Sequence, residues 1–142
     1  MHSFKIDGVK IITNCWFAPK GYFMTFFGMI ITERDYKLIE RYFKTYRGKE
    51  TINHEKIHID QEKRVPLWYG TFYLIYVWYY LIALFRYFNH DLAYYSIPFE
   101  IEAYENQSNM NYLDNPTNWK KYKKSLKERK AWWLEYKRKH NL

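Results

Sequence analysis

Cysteine is almost missing from this sequence. Cys15 stands alone, so no intrachain disulfide can form and a cysteine-based zinc knuckle is excluded. The opening MHSFKIDGVK lacks a basic segment followed by an apolar one, which argues against a signal peptide for classical secretion. A cytoplasmic setting, with or without association to a membrane face, is therefore expected. Neither an internal repeat nor a low-complexity segment is present. Acidic residues nearly vanish from residues 117–142, where Glu128 and Glu135 face ten Lys and Arg. Residues 1–116 hold thirteen groups of each sign, so the whole formal excess of +8 belongs to the tail.

Aromatics are abundant instead. Sixteen Tyr, ten Phe and six Trp make up 23% of the chain, so large rings with polar tips must build the interior. Such a core suits a wet cleft or a membrane surface beside it. The length of 142 residues supports one domain with a core and is short for two.

The pattern predicts an α+β fold, mostly helical: an N-terminal β-hairpin and a strand, then about five helices. FKIDGVKII reads as a hairpin turning at Asp7-Gly8, and Tyr22–Thr32 as a further strand in which Gly28 permits a bulge or a close backbone approach. A helical period begins after Thr32, its predicted cap, with Gly48 as its stop. Helices follow over 50–64, 67–88 and 97–107, the last started by Ser96 and Pro98, and a basic helix closes the chain. Residues 1–116 are expected to form one domain, with strands within 3–32, and residues 117–142 an appended C-terminal helix.

Chemistry concentrates in TINHEKIHIDQEK, Thr51 to Lys63. Helical positions four apart differ by about 40° around the axis, so His54 and His58 share one face and two imidazoles can meet one ion. Glu55, about 100° from His54, falls beside such an ion and within reach of a water on it, the place of a general base. A third ligand must come from another element. FEIEAYEN offers Glu100, Glu102 and Glu105. On a helix Glu100 and Glu102 point about 200° apart, so only one can face the histidines. Ala103, about 60° from Glu100, permits a close helix approach on that side, which favours Glu100 over Glu102 and leaves Glu102 and Glu105 to a wetter face.

His54-Glu55-Lys56-Ile57-His58 followed by Glu100-Ile101-Glu102-Ala103 resembles the gluzincin metallopeptidases, whose two histidines and downstream glutamate, often written E-x-x-A-D, bind zinc. More narrowly, HEKIHIDQE with FEIEAYEN is similar to small uncharacterised bacterial proteins carrying the same motif pair. The resemblance implies a small zincin-like domain, Zn2+ held by His54, His58 and Glu100, a catalytic Glu55, and a peptide or protein substrate. Tyr104 stands where many gluzincins place an aspartate that orients a histidine. Gln61 and Glu62, lower on the histidine face, are the candidates for that orienting role here. A substrate peptide is expected along an edge strand near Phe26 to Thr32.

Leu67–Phe85 is uncharged over 19 residues and, as a helix, about long enough to approach bilayer thickness. A spanning helix would separate His58 from Glu100, so the metal reading requires it not to span. Tyr69, Tyr73, Tyr76 and Tyr80 form a polar-tipped row that suits a core helix or an interfacial one. In the tail, Trp119, Tyr122, Leu126, Trp133 and Tyr136 approximate one face. Docking on the domain ranks first for this helix. Contact with an anionic membrane, through 67–88 and 117–142, ranks second, and nucleic acid is a weak third because no recognition motif accompanies the rings. Neither a specific substrate nor an oligomeric state can be read from the chain.

Overall fold

In a computed structural model, which describes residues 1–67 and 69–142 and all side chains among them but that of Tyr69, a four-stranded mixed sheet precedes six α-helices. The fold is α+β and mostly helical. Strands β1 (His2–Ile6) and β2 (Val9–Thr13) form the expected hairpin, with Asp7 and Gly8 both at positive φ. Strand β3 (Met24–Phe26) and strand β4 (Met29–Ile31) form a second hairpin, where one strand was expected. Phe27 and Gly28 take φ of 47° and 75°, so Gly28 serves a two-residue turn rather than a bulge. β4 inserts parallel to β2, giving the order β1-β2-β4-β3. The edge beside the helices is therefore β3, and most of Phe26 to Thr32 is interior, which moves the expected peptide edge to Met24–Phe26.

Helix α1 (Tyr36–Phe43) starts at Asp35, whose side chain accepts from the Lys37 amide. Thr32 does not cap it. Its hydroxyl donates to the Tyr22 carbonyl and braces the loop before β3. Gly48 does not end the helix either, because Thr45 opens α2 (Tyr46–Arg64) and places Gly48 in its first turn. A Cβ at Gly48 would sit 2.0 Å from the Tyr42 carbonyl oxygen, so the glycine lets α2 leave α1 at close range. Ile11 and Ile30 of the sheet pack on Ile39, Phe43, Ile52 and Ile59, fixing α2 across one face.

Helix α3 is described over Tyr69–Tyr87, with Leu67 in a turn before it, and Trp68 and the Tyr69 side chain of the predicted row lie outside the described residues. Among the described residues no helix is long and apolar enough to cross a membrane. A short helix, α4 (His90–Tyr95), follows where no helix was expected and ends at Ser96. Pro98 then occupies the first turn of α5 (Pro98–Asn106), where its missing N–H costs nothing. The basic segment is not one helix. Trp119–Tyr122 is a 3-10 turn that buries Trp119 and Tyr122, and α6 (Leu126–His140) begins at a Ser125–Glu128 capping box. α6 lies against the rest of the fold: Trp133 stacks on Tyr95 at 3.8 Å, and buried Arg129 donates to the Ser96 carbonyl.

Candidate metal centre

Ala103 is fully buried against Ile57, and this small contact brings α5 onto α2. The crossing places Glu100 over the two histidines. His58 Nε2 lies 3.1 Å from His54 Nε2 and 3.3 Å from Glu100 Oε1, while His54 Nε2 lies 3.4 Å from Glu100 Oε2. All three residues are buried and offer ligand atoms within 4.8 Å of one another. Tetrahedral coordination with bonds of 2.0–2.1 Å separates neighbouring ligand atoms by about 3.3 Å, the spacing seen here.

The far sides of the imidazoles decide which nitrogen is open. Gln61 donates its amide protons to the Phe99 carbonyl at 3.0 Å and to Glu102 Oε2 at 2.9 Å. Its carbonyl oxygen must then face His58 Nδ1, at 2.8 Å, which assigns the proton to Nδ1 and leaves Nε2 with its lone pair toward the triad. His54 Nδ1 is held in the same way by Gln107 Oε1 at 3.1 Å. Glu100 Oε1 accepts from the Tyr76 hydroxyl at 2.6 Å, but Oε2 is buried and has no hydrogen-bond partner. An orphaned carboxylate oxygen beside two oriented imidazole nitrogens fits a divalent cation of the zinc class.

Without an ion the site holds a proton. Burial works against a charged His58, yet Glu100 outweighs it and raises the imidazole to about 9. Burial likewise opposes ionisation of Glu100, but His58 and His54 hold its carboxyl well below the usual range. Tyr76 and Tyr94 are pushed well above the ordinary phenol value by burial and then by Glu100, so both remain O–H donors.

Glu55, buried on the same turn as His54, accepts at Oε2 from Thr25 Oγ1 at 2.7 Å. A cavity of about 360 Å³ opens beside the triad, with Glu55, His58 and Glu100 at one wall and Thr25, Tyr76 and Tyr94 among the others. Thr25 lies on β3 next to the hydrogen-bonded closing pair Phe26–Met29, so its own N–H and C=O point away from β4, and the C=O meets the Tyr73 hydroxyl at 3.4 Å.

Several expectations need correction. Glu102 is not on a wet face: it is fully buried, and it takes Arg64 at 2.8 Å, Tyr112 at 2.7 Å and Gln61 as donors, turned away from the imidazoles. Glu105 is the exposed one. Glu62 orients neither histidine. It holds the second hairpin, accepting from the Gly28 amide at 2.9 Å and the Tyr73 hydroxyl at 2.5 Å. Tyr104 packs edge-on against the His54 ring at 4.5 Å. Three residues were missed. Gln107 lies seven positions after Glu100, about 20° away around a helix, a spacing that could have flagged it. Tyr76 was read only as part of a tyrosine row, and Thr25 carried no local signal.

No protein-family model, curated protein or solved structure matches this chain, so the likeness to gluzincins rests on the two motifs and on the triad.

Proposed function

We propose that this protein is a zinc-dependent metallopeptidase, with His54, His58 and Glu100 as ligands and Glu55 as general base. The observation that carries the reading is the buried Oε2 of Glu100, which makes no hydrogen bond and faces an imidazole nitrogen at 3.4 Å in a wall of an open cavity. Zinc, when bound, lowers the pKa of a water toward neutrality and polarises a carbonyl.

The chain's own residues supply the rest. With Oε2 held by Thr25, the Glu55 carboxylate accepts the proton of the attacking water at Oε1 and returns it to the leaving amine, so a peptide bond and water become a carboxylate and an amine. The substrate backbone pairs with the outward N–H of Thr25 and takes the place of the Tyr73 hydroxyl at its C=O, which extends the sheet by one strand. Tyr73 and Tyr76 are committed to carboxylates, and Tyr95 is stacked on Trp133. Tyr22 and Tyr94 are the other cavity-wall phenols, and either can donate to the developing oxyanion.

The test compares Glu55→Gln with His54→Ala on a fluorogenic peptide mixture, with zinc content measured in parallel. Glu55→Gln should keep zinc and lose turnover by at least about a hundredfold, the scale of one acid–base group. His54→Ala should lose both. Unchanged hydrolysis in Glu55→Gln would remove Glu55 as the base, and no cleavage by zinc-loaded wild type would reduce the site to a non-catalytic metal centre.

A further inference from the structure

The chain carries 23 Lys and Arg, and none of them lines the cavity beside the triad. The two histidines in its wall are engaged, His58 with Glu100 and His90 with the Tyr80 hydroxyl at 2.7 Å. Its carboxylates are Glu55, Glu100 and Asp91, of which only Asp91 is exposed. Glu55 and Glu100 offset the two charges of a divalent ion on the triad. Asp91 has no such counterpart, since it accepts no hydrogen bond and joins no ion pair among the described residues.

Tyr94 and Tyr95 stand three and four residues after Asp91, so the three share the side of α4 that faces the cavity. Burial raises the Tyr95 phenol, and the charges of Glu100 and then Asp91 add to the rise, which sets both carboxylates within electrostatic reach of one hydroxyl. Trp133, stacked on Tyr95 at 3.8 Å, holds that ring in place, and Tyr22 and Phe72 bring further rings to the wall. Aromatic faces beside a free carboxylate attract an organic cation, and no Lys or Arg in the wall repels it.

The sheet edge decides which part of a peptide arrives there. Thr25 turns its hydroxyl to Glu55 at 2.7 Å, on the cavity side of β3. A residue paired with Thr25 in an added strand sends its side chain to the same side. What enters the cavity is therefore a side chain and not the main chain.

We propose, resting on the peptidase reading of the metal centre, that the cavity selects a lysine or arginine side chain of a peptide, with Asp91 at its charged head and the rings of Tyr94 and Tyr95 along its stem. Asp91 also lies in the first turn of α4, where a carboxylate favours the helix. That role moves Tm but not the choice between peptides.

Binding is measured by fluorescence anisotropy on the zinc-free full chain, which does not consume the peptide, and cleavage on the zinc-loaded chain. The probes are acetylated alanine pentapeptides with a C-terminal dye and either Lys or its uncharged analogue norleucine at the centre. The Lys peptide should bind about tenfold more tightly, the scale of a partly exposed ion pair plus one cation–ring contact. Asp91→Asn should cut that ratio about fivefold, the share of the ion pair, and Asp91→Lys should reverse it, both variants still loading zinc. The proposal is overturned if neither peptide binds, if both bind equally, or if the ratio survives Asp91→Asn. A gain seen only when a free N-terminal amine replaces the acetyl group overturns it as well. Cleavage of both peptides with no Lys preference removes the selectivity and leaves the peptidase. An Asp91-dependent Lys preference in binding, with no cleavage by the zinc-loaded chain, upholds the selectivity and removes the peptidase.

Discussion

Two glutamates on α5, two residues apart, are both withdrawn from water, and their surroundings differ in kind. Glu102 is saturated by the Arg64 guanidinium, the Gln61 amide and the Tyr112 hydroxyl. Glu100 has one such donor, Tyr76, and otherwise faces two imidazoles that leave Oε2 unbonded. A buried carboxylate costs several kcal/mol unless donors or cations compensate it. Glu102 meets that requirement within the chain and ties α5 to α2. Glu100 meets it only in part, through a proton on His58, and so leaves a place for a cation. The difference separates an anchor from a site, although both carboxylates are equally hidden.

The largest effect should come from breaking the anchor. Glu102→Ala takes one acceptor from the half-buried Arg64 guanidinium, which keeps Asp60 and the Thr117 carbonyl, and from the Gln61 amide and the Tyr112 hydroxyl, and should destabilise the fold by about 2–3 kcal/mol, with or without zinc. Chemical denaturation measures it. A loss under about 1 kcal/mol would erase the distinction between the two glutamates.

The link between the two regions is Gln61, which touches Glu102 with its amide and His58 with its carbonyl. Gln61→Leu fills the space but frees the imidazole to turn. Zinc affinity, read by competition with a chelating dye, should fall about 10- to 100-fold, the usual consequence of losing a ligand's orienting partner. Affinity equal to wild type would mean that packing alone aims His58.

A smaller effect sharpens the contrast through pH. His58 is raised from 6.5 to about 9, so its contribution to the metal-free fold is complete below 6.5 and is lost as pH rises through 9. Glu100 is depressed below 4.5, so its contribution is present above 4.5 and is lost on further acidification. Tm of the metal-free protein should show a plateau from about 4.5 to 6.5 from this pair. Glu100→Gln should flatten the alkaline decline. Zinc requires the neutral imidazole, so zinc affinity should climb between pH 6.5 and 9 as the competing proton leaves. An alkaline decline of unchanged slope in Glu100→Gln would place the titrating group elsewhere.

Much of the site was legible because its spacing is local. His54 and His58 are one helical turn apart, and Ala103 indicated the side on which α5 could approach. The Asp7-Gly8 hairpin was legible for the same reason, as two residues that tolerate positive φ between β-forming runs. The second hairpin was hidden because Phe27 is an unusual residue at a φ of 47°, held there by the Tyr73 hydroxyl on its own amide, 46 residues away, and by Glu62 on the amide of Gly28, 34 residues away. Burial of Glu102 was illegible because its cation, Arg64, lies 38 residues back in sequence. Thr25 on Glu55 is another such pairing, 30 residues apart. Local pattern reports which side of a helix is special, and only the crossing of two helices reports what meets it there.

Calorimetric titration of metal-free wild type and Glu100→Ala with zinc bears on the whole reading. One ion should bind per wild-type chain, and Glu100→Ala, still folded, should bind it at least about a hundredfold more weakly, as loss of a direct ligand exceeds loss of its orienting partner. Equal zinc affinity in the two proteins, or no stoichiometric binding to wild type, would contradict a metal centre built on His54, His58 and Glu100.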